Sequence, residues 1–219
     1  MQKVEGSSPF IRLSLKAPRK RGFLFGEPRS QTLITSSDLW SYSRHVSIRA
    51  EDFRNVPDWP KPGIQFKDID PILRSPDLLA SAIDSLIDAS EGISAEIDFV
   101  IAPEARGFLF GPAIAAALGA GFIPARKPNK LPPETHSTSY LLEYGEDHLH
   151  VAHGSLDGRR ILIHDDLLAT GGTVEALTKL VEKTGAIAVG AVFLSEITAL
   201  GGRNRLEPLA VRSVVQFND

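Results

Sequence analysis

A thirteen-residue stretch, ILIHDDLLATGGT at positions 161–173, constrains this chain most strongly. Its apolar start is typical of a buried strand, which is followed by two aspartates, a glycine turn and the start of a helix. It is not a Walker A loop, because no Gly-Lys-Ser/Thr follows, and it lacks the Gly-x-Gly-x-x-Gly spacing of a dinucleotide-binding turn. An Asp-Asp or Gly-Gly pair alone would indicate an ordinary strand end or turn, whereas the whole stretch indicates a ligand site.

The turn and the acidic pair favour different parts of one ligand. Residues 170–173 offer backbone N–H groups and two hydroxyls at a helix N-terminus, which suits a phosphate dianion. Asp165 and Asp166 would repel that phosphate, so they suit neutral hydroxyls or a hydrated cation. A phosphate beside hydroxyls is the pattern of a ribose 5-phosphate.

Apolar runs separated by helical patterns predict an α/β fold. Ser75, Pro76 and Asp77 have the features of a helix start, with serine as the N-cap and proline at the first helical position. Strands that alternate with helices form right-handed crossovers and a mostly parallel sheet flanked by helices. The predicted strands of this sheet are residues 97–102, 122–125, 161–164, 187–194 and 211–217.

Charge separates the first 45 residues from the rest of the chain. They hold eight Lys/Arg and three Asp/Glu, a net charge of +5, which leaves −8 for residues 46–219 of a chain whose total is −3. Because residues 1–45 show no sustained hydrophobic period, we expect a disordered basic extension there and one domain over residues 46–219. Such a leader can also be an organelle-targeting segment. The hexapeptide RGFLFG at residues 21–26 recurs at residues 106–111, but the flanks differ and indicate no duplication.

Composition excludes several classes of protein. The chain has no cysteine, which excludes a disulfide framework, a thiol nucleophile and a thiolate metal site. No apolar run approaches the roughly 20 residues needed to span a membrane, and the N-terminus lacks the apolar core of a signal peptide. We therefore expect a cytoplasmic protein that does not act at a membrane. The acidic body argues against a nucleic-acid-binding core.

Basic residues follow two other predicted strands. Arg106 follows the strand at residues 97–102, and Arg126, Lys127 and Lys130 follow the strand at residues 122–125. Each alone would usually be a solvated surface charge. Because parallel strands end at the same edge of a sheet, these cations converge with the phosphate turn and would suit a second polyanion, pyrophosphate.

Two further segments are candidates for the walls of the site. Residues 126–133 form a Pro-rich loop, and the strands predicted at residues 137–143 and 148–153 surround a turn at residues 144–147, a hairpin typical of a movable cover. Residues 56–69 contain three prolines and a glycine, which exclude a helix. This extended segment would be a lid edge or one wall of a base pocket, and its spacing does not decide between them.

Five segments, in this order, resemble the adenine phosphoribosyltransferases of the type I phosphoribosyltransferase family. The resemblance covers residues 51–217 and implies the fold of that family, a mostly parallel twisted sheet flanked by helices, with a flexible hood and hairpin at residues 126–153. It also implies a strained non-proline peptide bond, of the cis type, near Glu104 and Ala105. The segments are residues 57–69, 104–112, 126–132, 142–145 and 161–173.

The resemblance assigns a ligand group to each part of the candidate site. It implies that 5-phosphoribosyl 1-pyrophosphate (PRPP) lies across the strand ends. It also implies that adenine lies between an extended segment and one isoleucine. The residues so implied are Arg106, Arg126, Lys127 and Lys130 for pyrophosphate; Asp165 and Asp166 for the ribose hydroxyls; Ala169, Thr170, Gly171, Gly172 and Thr173 for the 5′-phosphate; and Ile64, Gln65, Phe66 and Lys67, with Ile197 opposite, for adenine.

Ala169 stands where the 6-oxopurine enzymes of this family carry an aspartate that can serve the base nitrogen. Alanine has no proton chemistry, so the acid–base residue must come from elsewhere. Glu143 at the predicted hairpin tip is the candidate, with Tyr144 closing over the site and Arg106 stabilising the charge that grows on pyrophosphate. From the residues alone, Glu143 would be a solvent-facing hairpin acid.

The resemblance implies purine salvage, in which the 5-phosphoribosyl group of PRPP passes to adenine and gives AMP and pyrophosphate. Mg²⁺ is expected to be carried by PRPP, without protein ligands of its own, and the chain is expected to form a homodimer. The alternative is a regulator that senses PRPP or a purine and has lost catalysis. Retention of Glu143, Tyr144 and the basic residues favours the enzyme, because a sensor need not keep them all.

Overall fold

The computed structural model describes residues 47–218 apart from residues 94–95, 143–144, 153 and 155; for residues 139–142 and 145–147 it describes the backbone alone. The extension predicted for residues 1–45, with its copy of RGFLFG, lies outside the described residues, as do Glu143 and Tyr144. In the described part, no helix combines the length and apolar character that crossing a membrane requires.

Strands and helices follow one another along the described chain largely as the sequence predicts, with four consecutive strands in its middle part. The strands are β1 (Arg54–Pro57), β2 (Gln65–Asp68), β3 (Phe99–Pro103), β4 (Gly121–Ala125), β5 (Thr135–Leu142), β6 (Gly145–Ala152), β7 (Arg160–Leu168), β8 (Ile187–Ile197) and β9 (Val211–Phe217). The helices are α1 (Asp70–Arg74), α2 (Pro76–Glu91), α3 (Gly111–Ala117), α4 (Gly172–Lys183) and α5 (Gly202–Arg205), with 3₁₀ turns at Ala50–Asp52, Arg106–Leu109 and Thr198–Leu200.

One five-stranded sheet forms the centre, in the order β4-β3-β7-β8-β9. All four pairs of neighbours in it are parallel, which confirms the predicted parallel sheet. Two antiparallel ribbons, β1–β2 and β5–β6, lie outside this sheet. The Ser75 hydroxyl caps α2 by accepting a hydrogen bond from the backbone N–H of Leu78 at 3.3 Å, as the sequence predicts.

Strands β7 and β8 both continue past their predicted C-terminal ends. Pairing between β7 and β8 continues to Leu168 and Glu196, so Asp165 and Asp166 lie inside β7 rather than after it. The prediction that β7 ends at residue 164 was wrong because it treated charged residues as a strand end. A neighbouring strand that satisfies the backbone hydrogen bonds carries the ladder through them.

The hairpin also differs from its prediction. Gly145 already pairs with Leu142, so residues 145–147 belong to β6 and not to a turn. Leu149 and Val151 of β6 are buried with Ile163 and Leu177 in the core between the sheet and α4. The base of the predicted cover is therefore part of the core.

Apolar side chains fill both faces of the sheet because β7 alternates between them. Ile161 and Ile163 pack toward α4, whereas Leu162 packs on the other face with Leu86 of α2 and Ile114 of α3. Each fully buried side chain of this size contributes about 1.5–3 kcal/mol relative to an exposed one. These two layers hold β7 in place, and β7 carries the acidic pair.

His164 is a fully buried polar residue in this strand. Its Nδ1 donates to the carbonyl oxygen of Val192 at 3.0 Å, and its ring packs edge-on against Phe110. Among the described residues, no group forms a hydrogen bond with its Nε2. Burial lowers the pKa of His164 to about 4, although the hydrogen bond to Val192 opposes this shift.

We predict that His164 makes the protein less stable as the pH falls from 7 to 5. With a folded pKa of about 4 and an unfolded pKa of about 6.5, the unfolded state binds more protons between these values. The free energy of unfolding should then fall by about 2 kcal/mol over this range. In His164→Gln this pH-dependent decrease should be absent. Urea unfolding at pH 7 and pH 5 measures it, with His148→Gln as the control. An equal slope in the His164 variant and the parent would contradict the prediction.

Candidate active site

The candidate residues gather at the carboxyl edge of the sheet. Arg106 follows β3, Arg126 follows β4, and Asp165 and Asp166 lie near the end of β7. Because β4, β3 and β7 are parallel neighbours, the segments that follow them leave the sheet at the same edge. The predicted convergence of the two cationic segments with the acidic pair is therefore present.

The turn before α4 has the backbone form that the sequence predicts. Gly171 has a φ of +80°, in the left-handed region that favours glycine, and α4 begins at Gly172. The N-terminal backbone of this twelve-residue helix carries partial positive charge, so an anion is favoured there. Thr170 is exposed, whereas Ala169 and Thr173 are half-buried. The turn is thus open to a ligand on the side of Thr170.

Asp165, which is half-buried, and Asp166, which is buried, form an acidic pair that contacts a cation. The Nε of Arg106 donates to Oδ2 of Asp166 at 2.6 Å, and the two side chains form an ion pair. The backbone N–H of Asp166 donates to Oδ1 of Asp165 at 2.9 Å, and the Ser195 hydroxyl donates to the carbonyl oxygen of Asp166 at 3.1 Å. These contacts fix the pair at the edge of the sheet.

Burial controls the electrostatics of this pair. It raises the pKa of Asp165 well above its ordinary value, and the neighbouring charge of Asp166 adds to that effect. Burial also raises the pKa of Asp166, while the guanidinium of Arg106 offsets part of the shift. Two crowded carboxylates favour partners that donate hydrogen bonds or carry positive charge, such as sugar hydroxyls, a cation or Arg106 itself.

Arg106 links two parts of the site that the resemblance treats separately. The resemblance implies a role at pyrophosphate for Arg106, whereas the structure brings its guanidinium to Asp166, a residue expected at the ribose hydroxyls. The same guanidinium lies 5.2 Å from the ring centre of Phe66, in the segment expected at adenine. One side chain therefore contacts residues of two predicted pockets.

Glu104 organises the second cationic segment, a role that the sequence analysis missed. Its Oε2 accepts from Nε of Arg126 at 2.8 Å and from the backbone N–H of Lys127 at 3.1 Å. The hydrogen bond from Arg126, followed by that from Lys127, lowers the pKa of the Glu104 carboxyl. The peptide bond from Glu104 to Ala105 is cis, as the resemblance implies. Lys127 and Lys130 are exposed at this edge.

The hairpin is attached to the segment after β4 and to the C-terminal end of α4. Backbone hydrogen bonds of 2.8 Å run in both directions between Arg126 and His150 of β6. On the other side, the ammonium group of Lys183 in α4 donates to the carbonyl oxygen of Ser137 at 3.1 Å. The proposed base and lid residues, Glu143 and Tyr144, remain predictions because they lie outside the described residues.

Two side chains of the segment expected at adenine, Phe66 and Lys67, contact different neighbours. Trp59, which the sequence analysis did not single out, packs edge-on against Phe66 at 4.5 Å between ring centres. Lys67 points elsewhere: its ammonium group lies 4.6 Å from the ring centre of Phe217 and donates to Oδ1 of Asn55 at 3.3 Å. The sequence signal that could have identified Trp59 is the presence of a large aromatic residue in a proline-rich segment.

The other three residues predicted to bind adenine are Ile64 and Gln65, in or next to the β1–β2 ribbon, and Ile197 at the end of β8. Gln65 accepts a hydrogen bond from the side-chain amide of Asn55 at 2.8 Å, on the side of Lys67. Ile64 and Ile197 are both half-buried, and Ile197 pairs with Phe217 at the end of β8. Ile197 and Lys67 thus both neighbour Phe217, and the wider grouping of these residues around a base remains a prediction.

The acidic pair fits a magnesium ion that takes most of its ligands from elsewhere. Within the described ranges, no group of three or more His, Cys, Asp or Glu side chains could hold a metal. Asp165 and Asp166 can supply one or two oxygens, and Mg²⁺ is typically bound through one or two carboxylates together with substrate phosphates and water. A magnesium ion at this pair would take its remaining ligands from phosphate groups and water.

Comparison with known proteins places these features in one family. The model of the phosphoribosyl transferase domain family matches residues 68–212. The adenine phosphoribosyltransferase of Rhodopirellula baltica is 49% identical over 175 residues, which are 80% of this chain and 84% of that protein. The adenine phosphoribosyltransferase of a Thermoanaerobacter species is 50% identical over 165 residues, which are 75% of this chain and 94% of that protein.

Solved structures give the same result. The crystal structure of adenine phosphoribosyltransferase from Thermoanaerobacter pseudethanolicus has a TM-score of 0.72 and 48% identity, over 76% of this chain and 96% of that one. The enzyme from Saccharomyces cerevisiae, in complex with an imino-altritol bisphosphate and adenine, has a TM-score of 0.71 and 37% identity, over 75% and 94%. The fold at the carboxyl edge is thus that of known relatives, and the chain belongs to the phosphoribosyltransferase family, among the adenine phosphoribosyltransferases.

Proposed function

We propose that this protein transfers the 5-phosphoribosyl group of PRPP to adenine and releases AMP and pyrophosphate. The observation that carries this proposal is the placement of an acidic pair, one member of it buried, beside a glycine turn that begins a helix, at the edge where two basic segments meet. A phosphate, two ribose hydroxyls and a second polyanion are the groups that such an edge would recognise. No feature of the described residues favours the regulatory alternative.

The 5′-phosphate of PRPP would bind the turn formed by Ala169, Thr170, Gly171, Gly172 and Thr173. The partial positive charge at the start of α4 would hold it. Asp165 and Asp166 would accept hydrogen bonds from the ribose hydroxyls, which have donors to offer to crowded carboxylates. When bound, Mg²⁺ supplies charge neutralisation on the PRPP phosphates next to this pair.

Pyrophosphate would leave toward the basic segments. A nitrogen of adenine attacks C1′ of the ribose while the bond from C1′ to the pyrophosphate oxygen breaks, and negative charge grows on the leaving group. Arg126, Lys127 and Lys130 would stabilise that charge, with Arg126 already oriented by Glu104. Arg106 would join them by moving its guanidinium from Asp166.

Adenine would bind against Phe66, near Ile64 and Ile197, and the backbone of Gln65 and Lys67 would supply polar contacts. Ala169 contributes no acid or base, so Glu143 would receive the proton that adenine loses, and Tyr144 would cover the base. Exclusion of water by the hood protects the reactive ribose from hydrolysis.

Three further properties are proposed for the whole protein. Residues 1–45 form a disordered basic extension, and residues 46–219 form the catalytic domain. Two chains form a homodimer, and Leu109, exposed at the end of the 3₁₀ turn that begins at Arg106, is a candidate contact residue. The protein acts in the cytoplasm.

The reaction itself is the first test. The purified chain with adenine, PRPP and Mg²⁺ should form AMP and pyrophosphate in equal amounts, measured by chromatography. Hypoxanthine and guanine should react far more slowly, because Ala169 offers them no acid or base. Binding of PRPP without any AMP would contradict the enzyme and favour a sensor.

Glu143→Gln should lower kcat by about 100-fold or more, because a positioned acid or base typically contributes 10²–10⁴ in rate. The amide keeps the size of the side chain, so the KM values for adenine and PRPP should change little. Glu146→Gln, a nearby change in β6, is the matched control and should retain the parent kcat. Equal kcat in the Glu143 variant and the parent would exclude Glu143 as the base.

Deletion of residues 1–45 should leave kcat, KM and Tm close to the parent values. The reason is that a segment without hydrophobic periodicity has no apolar face to bury in the core. Steady-state kinetics and thermal unfolding of the shortened chain make the comparison. An inactive or unfolded product would show that the segment belongs to the domain.

A further inference from the structure

The backbone of the phosphate turn lies directly on the start of α5. A Cβ atom on Gly171 would lie 2.8 Å from the carbonyl oxygen of Gly202, and a Cβ atom on Gly202 would collide with the carbonyl oxygen of Ala169. The same Cβ would lie 3.0 Å from the backbone nitrogen of Gly171. Two buried glycines therefore let two backbones touch, so the position of Gly202 sets the position of the turn.

The helix that presents Gly202 cannot hold its own position. It has four residues, Gly202–Arg205, whereas isolated helices shorter than about 12–15 residues are marginal in water. Its place must come from tertiary contacts. Arg203, the residue next to Gly202, supplies most of the polar ones.

Arg203 forms a fork onto β8 and β9. Its Nε and Nη2 donate to the two oxygens of Glu196 at 3.1 and 2.5 Å. Its Nη1 donates to the carbonyl oxygen of Val211 at 2.7 Å, and its Nη2 also reaches the hydroxyl of Ser213 at 3.3 Å. A bidentate guanidinium–carboxylate pair fixes direction as well as distance.

Glu196 is a rigid partner for this fork. Its side chain is 4% exposed, and it also accepts from the hydroxyl of Ser213 at 2.7 Å and from the amide of Gln216 at 3.3 Å. It lies in β8 opposite Leu168, the last residue of β7 before the turn. The fork thus ties α5 to the strands that lead into the site.

A second tie to α5 is at the surface. Arg205 donates from Nε to Oε2 of Glu175, in the first turn of α4, at 2.6 Å. Both side chains are partly exposed, at 47% and 30%, and exposed pairs of this kind typically contribute little. Arg205 is therefore a matched control for Arg203 on the same helix.

We propose that Arg203 is a positioning residue that sets the geometry of the 5′-phosphate turn through Gly202. The inference rests on the proposed function, in which this turn binds the 5′-phosphate of PRPP. Arg203 itself touches no substrate group in this proposal. Its loss would let α5 shift, release the backbone of Gly171 and weaken binding at the phosphate turn. The basic segments that carry Arg106 and Arg126 follow β3 and β4, and the contact between Glu104 and Arg126 does not involve α5.

The test compares ligands that bind different ends of the site. We expect Arg203→Lys to weaken ribose 5-phosphate at least threefold in Kd, since lysine cannot form the fork, while Mg²⁺-pyrophosphate stays within twofold. Arg203→Met alone would leave the buried carboxylate of Glu196 unpaired and could unfold the chain. The double variant Arg203→Met/Glu196→Gln removes both charges and should weaken ribose 5-phosphate tenfold or more, again without a change for pyrophosphate. Calorimetric titration gives each Kd.

Arg205→Met should leave both Kd values within twofold of the parent. Equal loss of ribose 5-phosphate and pyrophosphate binding in the Arg203 variants, together with a lower Tm, would show general destabilisation and overturn the inference. Unchanged ribose 5-phosphate binding would also overturn it. A parent protein that forms no AMP refutes the proposed function, whereas an active parent whose Arg203 variants keep the parent ratio of the two Kd values refutes this inference alone.

Discussion

Parallel pairing of β4, β3, β7 and β8 is the constraint on which the site depends. Segments that follow parallel strands leave the sheet at one edge, so residues far apart in the chain become neighbours there. Arg106 and Asp166 are 60 positions apart and yet share a hydrogen bond. An antiparallel neighbour would send one of these segments to the opposite edge and separate the acidic pair from its cation.

Burial then makes the buried carboxylates near this edge require partners. Asp166 in β7 and Glu196 in β8 each have side chains that are 4% exposed, and each is paired with one arginine. A buried carboxylate without a partner costs several kcal/mol, so the folded structure strongly favours the conformations in which these carboxylates are paired. The Arg106–Asp166 pair and the Arg203–Glu196 pair have different roles. Arg106 lies where substrate groups are expected, whereas Arg203 faces the sheet and supports the backbone of the turn.

The described part of the hood is less free than an insertion in a loop would suggest. Leu149 and Val151 are buried in the core, and the backbone of His150 is bonded to that of Arg126. These contacts hold the middle of β6 in the core. Glu104 adds to this rigidity, because it holds Arg126 and the backbone of Lys127 in one orientation.

The sequence by itself determined the fold class, the parallel sheet and the type of each site segment. These follow from local signals: hydrophobic period, the serine cap of α2 and a glycine turn after an acidic pair. Even β9 has the predicted bounds, because its apolar end residues, Val211 and Phe217, are also where its pairing with β8 begins and ends. The resemblance of five ordered segments then identified the family, before any side chain had a position.

Only the tertiary structure decided how far β7 extends, which partner Arg106 takes and what supports the turn. Each depends on pairs that are distant in sequence: Leu168 with Glu196, Arg106 with Asp166, and Gly171 with Gly202. No local pattern marks such pairs, since a glycine that touches another backbone reads the same as one in an ordinary turn. Long-range contacts form only when the whole sheet is assembled, and for that reason the geometry of the phosphate turn could not be predicted from its own thirteen residues.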